Sequence, residues 1–334
     1  MRFLFKLFLV VLLAAGAWFA YLVTLPVTPK PDTVVILKPG WSSLHIAREL
    51  QEQGVIRDGR VFLLWRYAHP GKTLKAGEYG FDNAASAAEV YRKLVRGEVL
   101  THTVVVPEGF TIWDIAGAFE AAKLGSRQGF LAIMQSGELI ADLDPQAASL
   151  EGYLFPDTYE FTRSQSPRDM VAAMVGRFRK EAAALGLTAA ERKADMRRVV
   201  TLASIVEKET PVAAERGLVA SVYANRLAAG IALDADPTVI YAHLLRGDYS
   251  GALHHDDLEI ASPYNTYRNA GMPPGPIGSP GRESLKAAMK PAESDFLYFV
   301  ADGDGNGHSR FAKTLEEHNA NVNLYRRAVR QMNR

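Results

Sequence analysis

From Leu7 to Leu25 the chain carries no charged side chain, and this run constrains it more than any other. A helix needs about 20 apolar residues to cross the hydrocarbon core of a bilayer, so the run is long enough to span one. Arg2 and Lys6 stand before it. Cations collect on the cytoplasmic side of membrane segments, which puts the N-terminus in the cytoplasm and the body of the chain outside. Trp18, Phe19 and Tyr21 fall near the outer end, where amphipathic rings suit the headgroup layer. A cleaved signal peptide is the competing reading, with Ala15-Gly16-Ala17 as its small-residue site. The apolar run continues past that site to Leu25, for which a mature N-terminus has no use, so an uncleaved anchor is the better account. Residues 1–26 are then the cytoplasmic tip and transmembrane anchor. Residues 27–32, with Pro29 and Pro31 behind Pro26, form a stiff spacer, because proline holds the chain extended.

The rest of the 334-residue chain is long enough to bury a sizeable core. A net charge of +1 supplies no field that would gather nucleic acid. The chain has no cysteine, which rules out disulfides, a thiol nucleophile, thiolate-bound zinc and a lipidated cysteine.

Local pattern then divides the body in two. Thr33–Leu37 is β-branched and predicts a strand, and Pro39-Gly40 predicts a turn. Ser42 or Ser43 caps a helix to about Gln53, stopped by Gly54. Val61–Tyr67 predicts a short helix and Leu74–Phe81 a strand. Ser86 caps a helix to Val95 that ends at Gly97. These elements make a small α+β unit over residues 33–100.

A second domain, residues 101–334, opens with a strand at Thr101–Val106 and a helix from Thr111, repeating the strand, turn and helix of Val34–Leu50. Glu151–Tyr159 is dense in glycine, proline and aromatics and predicts a fixed loop that lines a cleft. Charged helical sequence fills Pro167–Arg198. After Pro211 a helix runs to Ala229, and Ile231–Leu233 is extended. Asp236-Pro237 reads as an N-cap followed by proline at the first helical position, opening a helix over Thr238–Leu245. Ser262–Pro280 has too many prolines and glycines for a regular element, and Ser279-Pro280 starts another helix. Phe296–Val300 predicts a buried strand and Thr314–Met332 a C-terminal helix.

Val199–Thr210 stands out within this domain. It has no charge up to Val206 and then ends in Glu207-Lys208-Glu209. The run predicts a buried core helix. Glu207 lies over Ala203 and Ser204, so its face is largely apolar. Desolvation there raises a carboxyl pKa and makes a proton donor near neutral pH. The plain alternative is a helix leaving the core for solvent, where charges are ordinary. Glu207 and Glu209 lie roughly 200° apart around a helix and cannot face one cleft. A two-carboxylate glycosidase would therefore need Asp236 or Asp157 as the second group, whereas a single-carboxyl mechanism would not.

Other chemistries find little support. There is no Gly-x-Ser-x-Gly elbow, and Ser204 sits inside the apolar run. His254-His255-Asp256-Asp257 is the best metal candidate, but adjacent histidines diverge, and a solvated polar loop accounts for it. Asp302–Gly307 starts like a calcium loop without the closing glutamate and reads as a turn. No metal and no cofactor are expected. Tyr264, Asn265 and Tyr267 would suit a sugar cleft, with rings against pyranose faces and amides toward N-acetyl groups, or else they pack the loop. Asp236 is a helix cap before it is a catalyst. Asn225 and Arg226 orient the glutamate or close a helix–helix contact.

Several stretches together carry a resemblance: Ala203–Thr210, Asn225-Arg226-Leu227, Asp236-Pro237-Thr238, Tyr264-Asn265-Thr266-Tyr267, Gly271–Ile277, Glu317-His318-Asn319, Leu150–Tyr159 and Leu74–Tyr79. The chain resembles the YceG-like family of endolytic murein transglycosylases from its anchor to its last helix. The spacing between His308 and Phe311 departs from the family pattern by one residue, which leaves His308 without an implied role.

The resemblance implies a bacterial inner-membrane protein, single-pass, with its body in the periplasm. Its partners would be peptidoglycan glycan strands and the membrane, with peptidoglycan synthases as candidates. It would cleave the β-1,4 bond between N-acetylmuramic acid and N-acetylglucosamine in nascent strands and leave 1,6-anhydro ends, terminating strand elongation. The first glutamate of the triplet, Glu207, would be the catalytic acid and then base, with Glu209 structural. Tyr264, Asn265, Thr266, Tyr267, Asn225, Arg226, Asp236 and Thr238 would form the substrate site. The fold class is α+β: a transmembrane helix, a small LysM-like subdomain and a larger mixed α/β catalytic domain. The rivals are a hydrolytic muramidase using Glu207 with Asp236, and a non-catalytic murein-binding scaffold.

Overall fold

The computed structural model describes residues 2–188 and 195–332. Helices and three small two-stranded sheets make it a mixed α+β protein. Helix α1 (Arg2–Thr24) is long and apolar enough to cross a membrane, with a mean hydropathy of 2.3, and almost none of it is covered by protein. The body divides into two compact units.

The first unit comprises residues 1–103 with 160–166. Strand β1 (Thr33–Leu37), helices α2 (Ser43–Glu52) and α3 (Gly59–Ala68), strand β2 (Gly77–Phe81) and helix α4 (Ala87–Arg96) follow in that order. The strands pair antiparallel, with Val35 opposite Tyr79. Ser42 caps α2 through the His45 amide, and Ser86 with Glu89 forms a reciprocal capping box on α4 that ends at left-handed Gly97. These caps satisfy amides that a helix start leaves without partners. Val35, Leu37, Leu50, Phe62, Tyr79 and Leu94 fill the core. Glu78 is buried and paired with Arg163 at 2.8 Å and His102 at 3.2 Å, so residues 160–166 are tied to this unit by a compensated charge.

Strands β3 (His102–Val106) and β4 (Asp157–Phe161) pair with each other. The fixed loop expected at Glu151–Tyr159 therefore ends in a strand, which the Gly152 and Pro156 before it conceal.

The second unit comprises residues 104–159 and 167–334. It contains α5 (Ile112–Ala121), α6 (Arg127–Met134), α7 (Pro167–Ala184), α8 (Met196–Glu209), α9 (Arg216–Ala228), α10 (Asp236–Arg246) and α11 (Arg282–Met289). Strands β5 (Tyr298–Ala301) and β6 (Ser309–Ala312) and helix α12 (Leu315–Met332) complete it. The part of the expected helical run that falls on residues 189–194 lies outside the described residues.

Helix α8 is the axis of this unit. Every residue from Val199 to Val206 is buried, because α9, α10 and α11 all pack on it. A helix apolar all round has to be enclosed in this way. Ser204 is part of that packing: its hydroxyl donates to the Thr201 carbonyl and accepts the Ile277 amide at 3.0 Å. The Gly-Pro loop is thereby stitched to the helix.

Several expected boundaries move. The helix after Pro211 starts at Arg216, behind a single turn at Ala213–Glu215. Helix α11 starts at Arg282 rather than Ser279. The backbone of Ser279 is committed elsewhere: its amide donates to Phe110 O and its carbonyl accepts from Gly109 N. Asp236 is not the cap of α10. It is the first helical residue, Ala235 stands at the cap position, and the Asp236 carboxylate accepts the Tyr267 hydroxyl at 2.6 Å. The expected buried strand at Phe296–Val300 is the half-buried β5, which pairs antiparallel with β6, a strand the sequence pattern missed.

Gly152 holds φ +83°, and a Cβ there would lie 2.5 Å from Pro276 Cβ and 2.9 Å from Val200 Cγ1. Gly152→Ala should destabilise the protein by about 2–4 kcal/mol through left-handed strain and overpacking against α8. Chemical denaturation would measure it; an unchanged midpoint would mean that the loop does not press on the helix.

Candidate active site

The two glutamates at the end of α8 diverge into different surroundings. The Glu207 side chain is only 4% exposed. One oxygen accepts from the Arg216 guanidinium at 2.7 Å and the other from the Gly281 amide at 2.8 Å. Arg216 also donates to Glu108 at 2.9 Å, so one cation is shared between two carboxylates. Burial pushes the Glu207 carboxyl up, while the Gly281 amide and Arg216 pull it back down. Both of its oxygens already serve the junction of α8, α9 and α11.

Glu209 faces a cavity of about 390 Å³, within the range of roughly 300–1,000 Å³ usual for small-molecule sites. Its Oε1 accepts the Tyr223 hydroxyl at 2.7 Å. Burial is the main cause that pushes its carboxyl up to about 7, the Asp236 charge adds to the rise, and the Tyr223 bond opposes it. Such a group exchanges a proton near neutral pH. Tyr223 itself is pushed far up by burial and by the charge of Glu209, so it stays a donor.

The remaining wall comes from five segments. Helix α9 supplies Tyr223 and Arg226, three residues apart on one face. The guanidinium of Arg226 bonds the carbonyls of Ala232 and Leu297, pairs with Asp234 and lies over the Tyr298 ring at 5.5 Å. Asp234, itself left-handed with φ 51°, and Asp236 come from the entry to α10. Tyr267 comes from the glycine- and proline-rich loop, Tyr298 and Phe299 from β5, and Leu315 and His318 from α12. His318 stacks on Tyr298 with centroids 5.3 Å apart. Burial, followed by the Arg226 charge, lowers its pKa, so it is neutral at pH 7. Its Nδ1 is buried without a partner among the described residues. Aromatic faces, acidic rims and one cation thus surround a protonatable carboxyl.

The residues expected from sequence sort unevenly onto this wall. Arg226, Asp236 and Tyr267 are on it. Asn265, Thr266 and Thr238 are not among its lining residues. Asn265 is fully buried; its amide donates to the Leu258 and Ile260 carbonyls, and its oxygen accepts the Tyr267 amide. Thr238 and Thr266 are hydrogen-bonded to each other. Together these three hold the loop that presents Tyr267. Asn225 bonds the carbonyls of Ser294 and Phe296 and fixes the approach to β5.

Tyr264 packs on Tyr241 and lines a separate cavity of about 120 Å³ with Glu151 and Arg197. In that cavity burial raises the Glu151 carboxyl to about 8. Glu207 also lies off the 390 Å³ cavity, and Glu209 lies on it. Sequence reasoning missed Tyr223, Asp234, Tyr298, Phe299 and His318 as wall residues. Of these, only His318 carried a signal, within Glu317-His318-Asn319.

Comparison with known proteins places this site in context. The model of the YceG-like family matches residues 35–324. A Bacillus subtilis (strain 168) protein named endolytic murein transglycosylase is 33% identical over 304 residues, covering 86% of this chain and 83% of that protein. The protein of the same name from Streptococcus pneumoniae D39 is 28% identical over 348 residues; the match takes in 93% of this chain but 62% of the longer relative. A crystal structure of a YceG-like protein from Listeria monocytogenes superposes with a TM-score of 0.59 at 33% identity, covering 87% of this chain and 99% of that one.

Glu209 should titrate near pH 7 when followed by carboxyl carbon NMR, and Tyr223→Phe should move it higher by removing the donor that favours the carboxylate. A midpoint near the ordinary 4.5 would contradict the buried site. The folded state holds this proton more tightly than the unfolded chain, so stability falls as pH rises from 4.5 through about 7. Glu209→Gln removes that penalty and should be more stable than the native chain above pH 7 in denaturant titrations.

Proposed function

The chain belongs to the YceG-like family, and on that premise we propose that it is a membrane-anchored lytic transglycosylase acting on peptidoglycan, with Glu209 as its acid and base. The observation that carries this reading is that Glu209, hydrogen-bonded by the Tyr223 hydroxyl at 2.7 Å, lines a 390 Å³ cavity in which burial pushes its carboxyl up to about 7. Supporting it are the relatives from Bacillus and Streptococcus, both named endolytic murein transglycosylase.

The proposed substrate is a nascent glycan strand, cut at the β-1,4 bond between N-acetylmuramic acid and N-acetylglucosamine. Protonated Glu209 donates to the glycosidic oxygen as the bond breaks. The carboxylate so formed takes the proton of the muramic acid C6 hydroxyl, whose oxygen closes on C1 and leaves a 1,6-anhydro end. The sugar's own hydroxyl replaces water, so a second catalytic carboxylate is not required. Tyr223 donates to the carboxylate and steadies it between the two proton transfers. Tyr267, Tyr298 and His318 offer ring faces to pyranoses. Glu207 acts through structure: with Arg216 and Gly281 it fixes the end of α8 from which Glu209 emerges.

Two further parts complete the proposal. Helix α1 anchors the protein in the inner membrane, its basic N-terminus in the cytoplasm and both units in the periplasm. Residues 33–100 form a LysM-like module that holds glycan, a reading supported by two helices inserted between two antiparallel strands. Cutting nascent strands beside synthases would terminate their elongation.

Hydrolysis by two carboxylates is the second reading, favoured by one observation, that Asp236 shares the cavity with Glu209. The partner expected from sequence, Glu207, is off that wall. Mass analysis of murein digested by the full chain separates the readings. Anhydro ends support lytic cleavage, and reducing ends heavier by one water support hydrolysis. Glu209→Gln should lower the rate by about 10²–10⁴-fold, while Glu207→Gln should keep the product type and lose activity mainly with stability. Unchanged glycan lengths with Glu209→Gln would remove Glu209 as the acid, and unchanged lengths with both Glu209→Gln and Glu207→Gln would leave only a binding scaffold.

A further inference from the structure

The membrane anchor does not end in a free spacer. Val23 is fully buried, Val27 bridges to Ala85, and Leu22, Leu25 and Val27 share a small crevice with Arg57, Asp58, Val61 and Ala87. The outer end of α1 is thus docked on α3 and α4, within the first unit. Trp18 and Tyr21, with ring centroids 5.7 Å apart, mark the interfacial level just before this junction. The N-terminal end of α3 is therefore held at the bilayer surface.

The exposed face of α3 suits that place. Residues 61, 64 and 68 fall on one helical stripe, flanked by 60 and 67. Val61 meets the anchor, and the stripe continues outward through Leu64, 57% exposed, and Tyr67, 68% exposed. Such side chains on a short surface helix have no core to join. Arg57 stands at the anchor end of this stripe and Arg60 on its flank, and the one acid between Val55 and Ala76 is Asp58, which is paired with Arg60. An apolar stripe edged with cations is the pattern of a helix lying in an anionic membrane interface, its apolar side about 5–10 Å deep.

We propose that α3 is a second membrane contact: Leu64 and Tyr67 enter the headgroup layer, and Arg57 and Arg60 bind anionic lipid. The proposal rests on α1 being an anchor. The occupant is lipid because the stripe is continuous with a helix that is itself in lipid and because its charge complements an anionic leaflet. The consequence is orientational. One helix through a bilayer leaves its cargo free to swing, whereas two contacts fix the first unit against the surface.

The cysteine-free chain allows a direct test. Single cysteines at Leu64→Cys, Tyr67→Cys, Leu12→Cys within α1 and Leu245→Cys on the second unit would carry an environment-sensitive fluorophore. The full chain would be reconstituted in phosphatidylglycerol–phosphatidylcholine vesicles containing nitroxide lipids. Probes at 64 and 67 should shift blue and be quenched by shallow nitroxides, and the probe at 12 by deep ones. The probe at 245 should stay water-like. Adding Arg57→Ser and Arg60→Ser, or using phosphatidylcholine alone, should reduce quenching at 64 and 67 and leave it unchanged at 12. Quenching at 12 without quenching at 64 and 67 would overturn the proposal while the anchor stands. Probes at 64 and 67 shielded from aqueous quencher but untouched by nitroxide lipid would also overturn it, since protein would then be the cover. If position 12 is itself unquenched, the anchor fails, and the contact proposed here fails with it unless 64 and 67 are quenched on their own.

Discussion

The second unit depends on one constraint, the complete burial of α8 from Val199 to Val206. A helix with apolar residues on every side must be enclosed, and α9, α10 and α11 do the enclosing. Its first charged residues are then forced out at a place where three helices already meet. Glu207 meets the cation and amide of that junction. Glu209, two residues on, meets the open side, where Tyr223 is its donor and Asp236 a nearby charge. The desolvation that raises its pKa is the same burial that holds the unit together. Carboxyls shifted in this way are common at functional sites.

Around that carboxyl the wall is built largely by groups that never touch the cavity. Asn265, Thr266 and Thr238 spend their hydrogen bonds on backbone and on each other, and in doing so fix Tyr267. Asn225 does the same for the approach to β5, which carries Tyr298 and Phe299. A motif rich in amides and hydroxyls therefore holds a loop in shape, and the rings and carboxylates line the cavity. The supporting residues lock the ones that face it.

Much of this architecture was legible in the sequence. Ser42, Ser86 and Gly97 marked helix ends because capping is local chemistry, readable within four residues. The core helix was legible because eight uncharged residues leave few other options. Its glutamates were not told apart: on a helix buried all round both lie over apolar neighbours, so periodicity is silent. Only Arg216, Gly281 and Tyr223, brought in from elsewhere in the fold, distinguish them. Asp236 misled for a related reason. An Asp-Pro pair at a helix start reads as a cap, but Tyr267, distant in sequence, takes the carboxylate instead. The short strands β4 and β6 were missed because their pairing is set by partners that no local pattern announces.

The central claim is that Glu209 must begin the reaction protonated. The most direct test is the pH dependence of kcat/KM for glycan cleavage in the native chain and in Tyr223→Phe. A falling limb near pH 7 is expected in the native chain, moved to higher pH when the Tyr223 donor is lost. A limb that stays in place in Tyr223→Phe, or a rate flat across neutrality, would contradict the assignment of Glu209 as the acid.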